Sequence, residues 1–237
     1  ELQRALLKPQ ADVITLVEDE PSHTLQGHFA SELERYHNRA YASDYKRWLT
    51  DIAAKIEARV GSQPGLNDTL ARALCKLMAY KDEYEVARLH SAPEFMQSLS
   101  SQFEGDYKLA FYLAPPLISR VDQATGRPQK IRFGSWMLPA FKLLAKFKFL
   151  RHTAFDPFGY TAERKLERQL ITDYKTTIED LVAQLTPDKV DDLITIAGLP
   201  MTIRGYGHVK LASVERYQAE LREQLTHWQD LATKAAA

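Results

Sequence analysis

A chain of 237 residues, 45% of them apolar, can bury a real core and form one large domain or two small ones, at roughly 100–200 residues per domain. Its 31 Lys and Arg balance 31 Asp and Glu, so no global field draws it to nucleic acid or an anionic membrane, and neither is expected as a partner. The single cysteine, Cys75, excludes an internal disulfide and a four-thiolate metal or cluster site supplied by this chain alone, which suits a reducing cytoplasm; no run approaches the roughly 18 apolar residues of a membrane span.

From Glu1 to Pro21 the pattern is irregular and reads as a linker or arm. From about Thr24 to Val60, Phe29, Leu33, Tyr36, Ala40, Tyr45, Leu49, Ile52 and Ile56 recur mostly three or four apart, which predicts one long helix or two with a bend. GSQPGLND interrupts it, and Asn67 or Asp68 is expected to cap the next helix, which runs to about His90. Pro93 stops that helix, and EFMQSLSSQF offers a further short one.

At Tyr107 the period falls to 2, as in a half-buried strand, and KIRFG at 130–134 offers a second. The stretch between carries Gly126 and Pro128 and reads as the loop of an antiparallel hairpin over about 107–134. Helical spacing returns with Met137, Phe141 and Leu144. Thr161 can cap a long helix bearing Leu166, Leu170, Tyr174, Ile178, Leu181 and Leu185, the cleanest amphipathic stripe in the chain. A short helix behind Thr186-Pro187 and a last one over about 211–234 complete a mainly α multi-helix bundle with one β-hairpin.

Residues 74–90, LCKLMAYKDEYEVARLH, put two bases, Lys81 and Arg88, on the stripe that should continue toward the core. A partly buried Lys81 with Asp82, Glu85 and the hydroxyls of Tyr80 and Tyr84 could do acid–base work. The plainer reading is an ordinary Lys81–Glu85 pair one helical turn apart, contributing about 0.2–0.5 kcal/mol. Tyr and Arg are favoured interface anchors, so Tyr80, Lys81, Asp82, Tyr84, Glu85 and Arg88 read mainly as a docking surface.

RGYGHVK at 204–210 is the weak phosphate-binding candidate: Gly205 and Gly207 could converge backbone N–H groups, with Arg204, His208 and Lys210 as charges. The alternative is a plain glycine turn. FKLLAKFKFLRH at 141–152 interleaves bases with aromatics, but its helical spacing favours a buried helix with snorkelling lysines over a nucleic-acid or membrane surface. The seven His make no metal pattern, and no nucleophile turn is present; catalytic, secure cofactor-binding and metal residues are therefore none.

Several blocks in order, YHNRAYASDYKRWL (36–49), KLMAYKDEYEVARL (76–89), FEGDYKLAFYLAPPL (103–117), the run from Thr125 to Ile171, and IRGYGHVK (203–210), resemble the C-terminal region of the large fused indolepyruvate ferredoxin oxidoreductases. The resemblance covers roughly Phe29 to Tyr217. It implies an enzyme that oxidatively decarboxylates aryl 2-oxoacids to acyl-CoA, using thiamine diphosphate, iron–sulfur clusters and coenzyme A, with ferredoxin as acceptor. The thiamine pattern of that family, Gly-Asp-Gly followed later by Asn, is missing: the one Gly-Asp, Gly105-Asp106, continues with Tyr107. No catalytic or cofactor residue of the family therefore transfers to this chain.

The expected organisation is a linker or arm over 1–25 from a preceding domain and a single helical accessory domain over 26–237. Its partners would be the preceding catalytic domains of the same polypeptide and possibly a second subunit. A start at Glu1 and an end on Lys-Ala-Ala-Ala fit a piece of something longer.

Overall fold

A computed structural model describes residues 22–103, 108–113 and 129–235. The expected arm before Ser22, Tyr107 at the start of the first strand, and most of the hairpin loop lie outside them. The described chain is mainly helical, with one two-stranded antiparallel sheet. In order it forms α1 (Ser22–Tyr36), α2 (Arg39–Val60), α3 (Pro64–Met78), α4 (Glu83–Ser91), α5 (Pro93–Gln102), β1 (Ala110–Leu113), β2 (Ile131–Gly134), α6 (Met137–Lys146), α7 (Ala162–Ala183), α8 (Val190–Gly198) and α9 (His208–Ala235). Where the sequence reads one domain, the chain divides into two compact units. The larger comprises residues up to Ala79 together with those from Ala162 onward, and the smaller is Tyr80–Thr161.

In the larger unit the caps set the element ends. Asn38 breaks the run after α1 because its side-chain oxygen accepts from the Tyr41 N–H at 2.9 Å, satisfying a free donor at the start of α2. α1 opens at Ser22 and Leu25 is buried, so residues 22–25 belong to a helix rather than to the expected arm. α3 starts at Pro64, whose missing N–H costs nothing at the first helical position; Asn67 and Asp68 therefore sit inside the helix and are not its caps.

Behind these ends lies one continuous apolar core. Leu33, Leu49, Ile52 and Ile56 from α1 and α2, Leu66, Leu70 and Leu74 from α3, and Ile178 with Leu181 from α7 are all buried in it. The stripe expected on α7 faces inward as read, from Leu170 to Leu181, with Leu185 just past the helix end. Two core tyrosines have their buried hydroxyls satisfied: Tyr45 donates to the Ala71 carbonyl at 3.1 Å and Tyr174 to that of Ala197 at 3.1 Å. Cys75 is buried among them, and burial pushes its thiol up to about 12, so it stays protonated and inert near neutral pH.

The smaller unit contains α4, α5, the two strands and α6. β1 and β2 pair antiparallel with Phe111 opposite Phe133 and Tyr112 opposite Arg132. Its buried apolar cluster is Ala87 from α4, Phe111 from β1 and Phe141 from α6, with Phe95, Leu109, Leu144 and others packed partly against it. His90 sits among three rings, stacked on Phe141 at 5.6 Å and edge-on to Phe95 and Phe111 at 5.4 and 5.5 Å. Burial lowers the pKa of this imidazole, favouring its neutral form.

Candidate functional site

Residues 74–90 do not form one helix. α3 ends at Met78, the chain turns through Ala79–Lys81, and Asp82 starts α4 as its N-cap, accepting from the Glu85 N–H at 2.8 Å. This removes the expected register: Lys81 precedes the helix, so it and Glu85 do not share a continuous helical face. Glu85 instead takes the Arg88 guanidinium in a two-pronged bond, at 2.9 Å from Nε and 2.6 Å from Nη2.

Asp82 does two jobs. Besides capping α4, its carboxylate receives the fork of Arg151, with Nε at 2.5 Å from Oδ2 and Nη2 at 2.7 Å from Oδ1. Both side chains are almost fully buried, at 1% and 4% exposure. A pair this dry holds because the geometry is bidentate and the carboxylate's second bond runs to a backbone donor. Arg151 arrives at the end of a 3-10 turn, Phe147–Leu150, and the next residue, His152, takes a left-handed backbone with φ 62°. The His152 ring meets Tyr80 edge-on at 6.4 Å.

Tyr84 completes the cluster. Its hydroxyl donates to Asp156 Oδ1 at 3.1 Å, its ring meets Phe158 edge-on at 5.3 Å, and the Arg151 guanidinium lies 5.5 Å from the ring centroid. Asp156 is itself fixed by a local turn, accepting from the Phe158 N–H at 3.1 Å. Gly159 permits that turn: a Cβ there would stand 2.9 Å from Asp156 Oδ2. Burial first, and the Asp156 carboxylate next, hold the Tyr84 hydroxyl well above the usual range for a phenol. It is a hydrogen-bond donor at neutral pH, not a base or nucleophile.

The six residues read as a docking surface thus turn largely inward. Tyr80, Asp82, Tyr84 and Glu85 are buried, and Lys81 and Arg88 are partly so. Their charges are used within the smaller unit, since each carboxylate of the set caps a helix or grips an arginine. Arg151 and Asp156, not singled out from sequence, are as central as any of them.

The glycine turn at 204–210, in the larger unit, has the backbone of a nest but is already engaged. Gly205 (φ 90°) and Gly207 (φ 52°) are both left-handed, and α9 starts at His208, three residues before the expected Leu211. The Gly207 N–H donates to Glu163 Oε1 at 3.3 Å, and Lys210 Nζ bonds the buried Glu167, which also grips Arg164. The Arg204 N–H goes to Ser213 Oγ at 3.0 Å. Carboxylates on α7 thus stand where a phosphate would; His208 and the Arg204 side chain remain exposed and form no converging site with them.

Among the described residues no group of three or more His, Cys, Asp or Glu could hold a metal ion, and no helix is long and apolar enough to cross a membrane. The one thiol is buried inside α3, and of the candidate phosphate donors Gly207 and Lys210 are bonded to Glu163 and Glu167. No curated protein and no solved structure matches the chain. Residues 24–223 match the model of a family of unknown function, DUF6537, and the chain belongs to that family.

Proposed function

We propose that this member of the DUF6537 family is the C-terminal accessory region of a cytoplasmic fused 2-oxoacid:ferredoxin oxidoreductase of the indolepyruvate type, with a role in packing or assembly rather than chemistry. The ordered block resemblance across Phe29–Tyr217 supplies the enzyme. What supports the silent role is how the charges are used. Asp82 and Arg151, Glu85 and Arg88, and Glu167 with Arg164 and Lys210 are bonded to one another inside their own units, so these charges are engaged within the fold. In such an enzyme the cofactors carry the reaction, and a region without their ligands acts by positioning other domains.

Three measurements test the reading. The purified 237-residue chain should not decarboxylate indolepyruvate with added thiamine diphosphate and an electron acceptor; turnover would refute the silent role. The chain should also co-elute with the separately expressed thiamine- and cluster-binding region of the enzyme, and independent migration of the two would refute the assembly role. Calorimetry with coenzyme A should give no heat of binding, because Glu163 and Glu167 already hold the Gly207 N–H and Lys210.

A further inference from the structure

α6 is apolar on two sides. Its inner side packs Phe141, Leu144 and Ala145, with Met137 and Leu138, into the small core around Ala87 and Phe111. Its outer side carries Ala140 and Leu143, and Trp136 just before the helix and Phe147 just after it continue the same spacing, i, i+4, i+7 and i+11. A helix brings such positions onto one stripe, about 16 Å long at about 1.5 Å per residue. Trp136 is 65% exposed, Leu143 58% and Phe147 40%. Phe149, 61% exposed, extends the stripe, its ring centroid 5.9 Å from that of Phe147. A surface helix normally carries polar residues on its outer face; this one is built as though that face were also covered.

The charge around the stripe has one sign. Between Gln129 and Phe155 the sequence carries six bases, Lys130, Arg132, Lys142, Lys146, Lys148 and Arg151, and no acid, within a chain of zero net charge. Arg151 is neutralised by Asp82. Lys142 and Lys146 are exposed and follow one flank of the stripe, roughly 80–120° around the helix from Trp136 at about 100° per residue.

We infer that the outer face of α6 is a docking face and that its occupant is a protein surface with an apolar ridge flanked by carboxylates. Charge complementarity selects that chemistry: Asp or Glu beside the ridge would meet Lys142 and Lys146. A second copy of this chain fits poorly, since a twofold contact on this face would set those lysines against their equivalents, with no acid in 129–155 to meet them. Single-stranded nucleic acid would need stacking rings along the path, and Ala140 and Leu143 supply none in its middle. Ala140, between Trp136 and Leu143, also lowers the middle of the stripe, the hollow that a partner's side chain fills in helix packing.

The inference deepens the assembly reading and rests on it, naming the face used and the character of the surface that meets it. Association of the chain with the catalytic region of the enzyme is measured for wild type and two double variants. Leu143→Glu with Phe147→Glu should weaken binding on the order of 100-fold, as for central interface anchors. Lys142→Glu with Lys146→Glu should weaken it about tenfold and flatten its salt dependence. All four positions are exposed, and unchanged circular dichroism and melting would show that the fold is kept.

If wild type binds and both variants bind equally well, the docking face is wrong while the assembly role stands. If wild type does not bind, the assembly role falls and takes the inference with it. Wild-type self-association through Leu143 and Phe147, or binding through them to phosphatidylserine vesicles or a single-stranded oligonucleotide, would overturn the acidic protein partner.

Discussion

The two units solve the same problem in different ways. The larger rests on a continuous apolar core drawn from six helices, in which the hydroxyls of Tyr45 and Tyr174 bond backbone carbonyls. The smaller has a compact apolar cluster of Ala87, Phe111 and Phe141, and beside it a polar set of Asp82, Arg151, Tyr84 and Asp156. Apolar burial is non-directional, so the larger unit tolerates repacking; the paired charges are directional, and they fix how α4 meets the turns at 147–159. The smaller unit also leaves apolar surface uncovered on α6, a poor use of scarce apolar residues unless another molecule completes it.

The sharpest way to break this comparison is Arg151→Ala, which leaves the Asp82 carboxylate buried and unpaired. It should cost about 3–5 kcal/mol. Hydrogen exchange should show the loss in α4 and residues 150–158, with α2 and α7 unchanged; uniform loss across the chain would mean the units unfold as one. Replacing both partners, Arg151→Met with Asp82→Leu, should recover most of it. Ile178→Ala makes a cavity in the larger core and should cost about 2–5 kcal/mol, read in exchange of α2, α3 and α7.

Smaller effects sharpen the contrast. Gly205→Ala puts a Cβ 2.5 Å from Val209 Cγ1 at φ 90° and should cost about 1–3 kcal/mol, visible as fraying at the start of α9. Tyr84→Phe removes one hydroxyl bond and should cost about 1 kcal/mol by denaturant titration.

The pH dependence is smaller still. Burial lowers the His90 pKa below its unfolded value of 6.5, so the folded unit binds fewer protons than the unfolded chain. Its contribution is complete above about pH 6.5 and is lost as the pH falls below that value through the folded pKa. His90→Phe should flatten this slope in the smaller unit; an unchanged slope would place the titration elsewhere.

What the sequence makes legible is periodic and local. The α7 stripe, the pairing of β1 with β2, and Pro93 at the start of α5 follow from spacing and from the restrictions on proline. The break before α4 was hidden because Tyr84 and Arg88 continue the helical spacing of Leu70, Leu74 and Leu77. A signal was there, since Asp82 and Glu85 stand three apart as in a capping box, and Asp82 does cap α4. The grip of Arg151 on Asp82 crosses 69 residues and has no local trace. Pairing Lys81 with Glu85 on one helical face needs a continuous helix, and the break before α4 removes that face. The acids on α7 at 163 and 167 are one turn apart, a hint that a basic turn packs there, but nothing local ties them to Gly207 and Lys210.

The larger unit is drawn from both ends of the described chain, while the smaller is a single uninterrupted stretch, Tyr80–Thr161. This gives synthesis an order. As the polypeptide leaves the ribosome, α1–α3 emerge with Leu66, Leu70 and Leu74 lacking the α7 and α8 residues that bury them, and they wait until those helices have been made. The smaller unit waits for nothing downstream: once Arg151, Asp156 and Phe158 have emerged, every partner named for Asp82 and Tyr84 is present. Mutations in its ionic cluster should therefore act early, lengthening the time for which half of the larger core stands open to chaperones, proteases and other nascent chains.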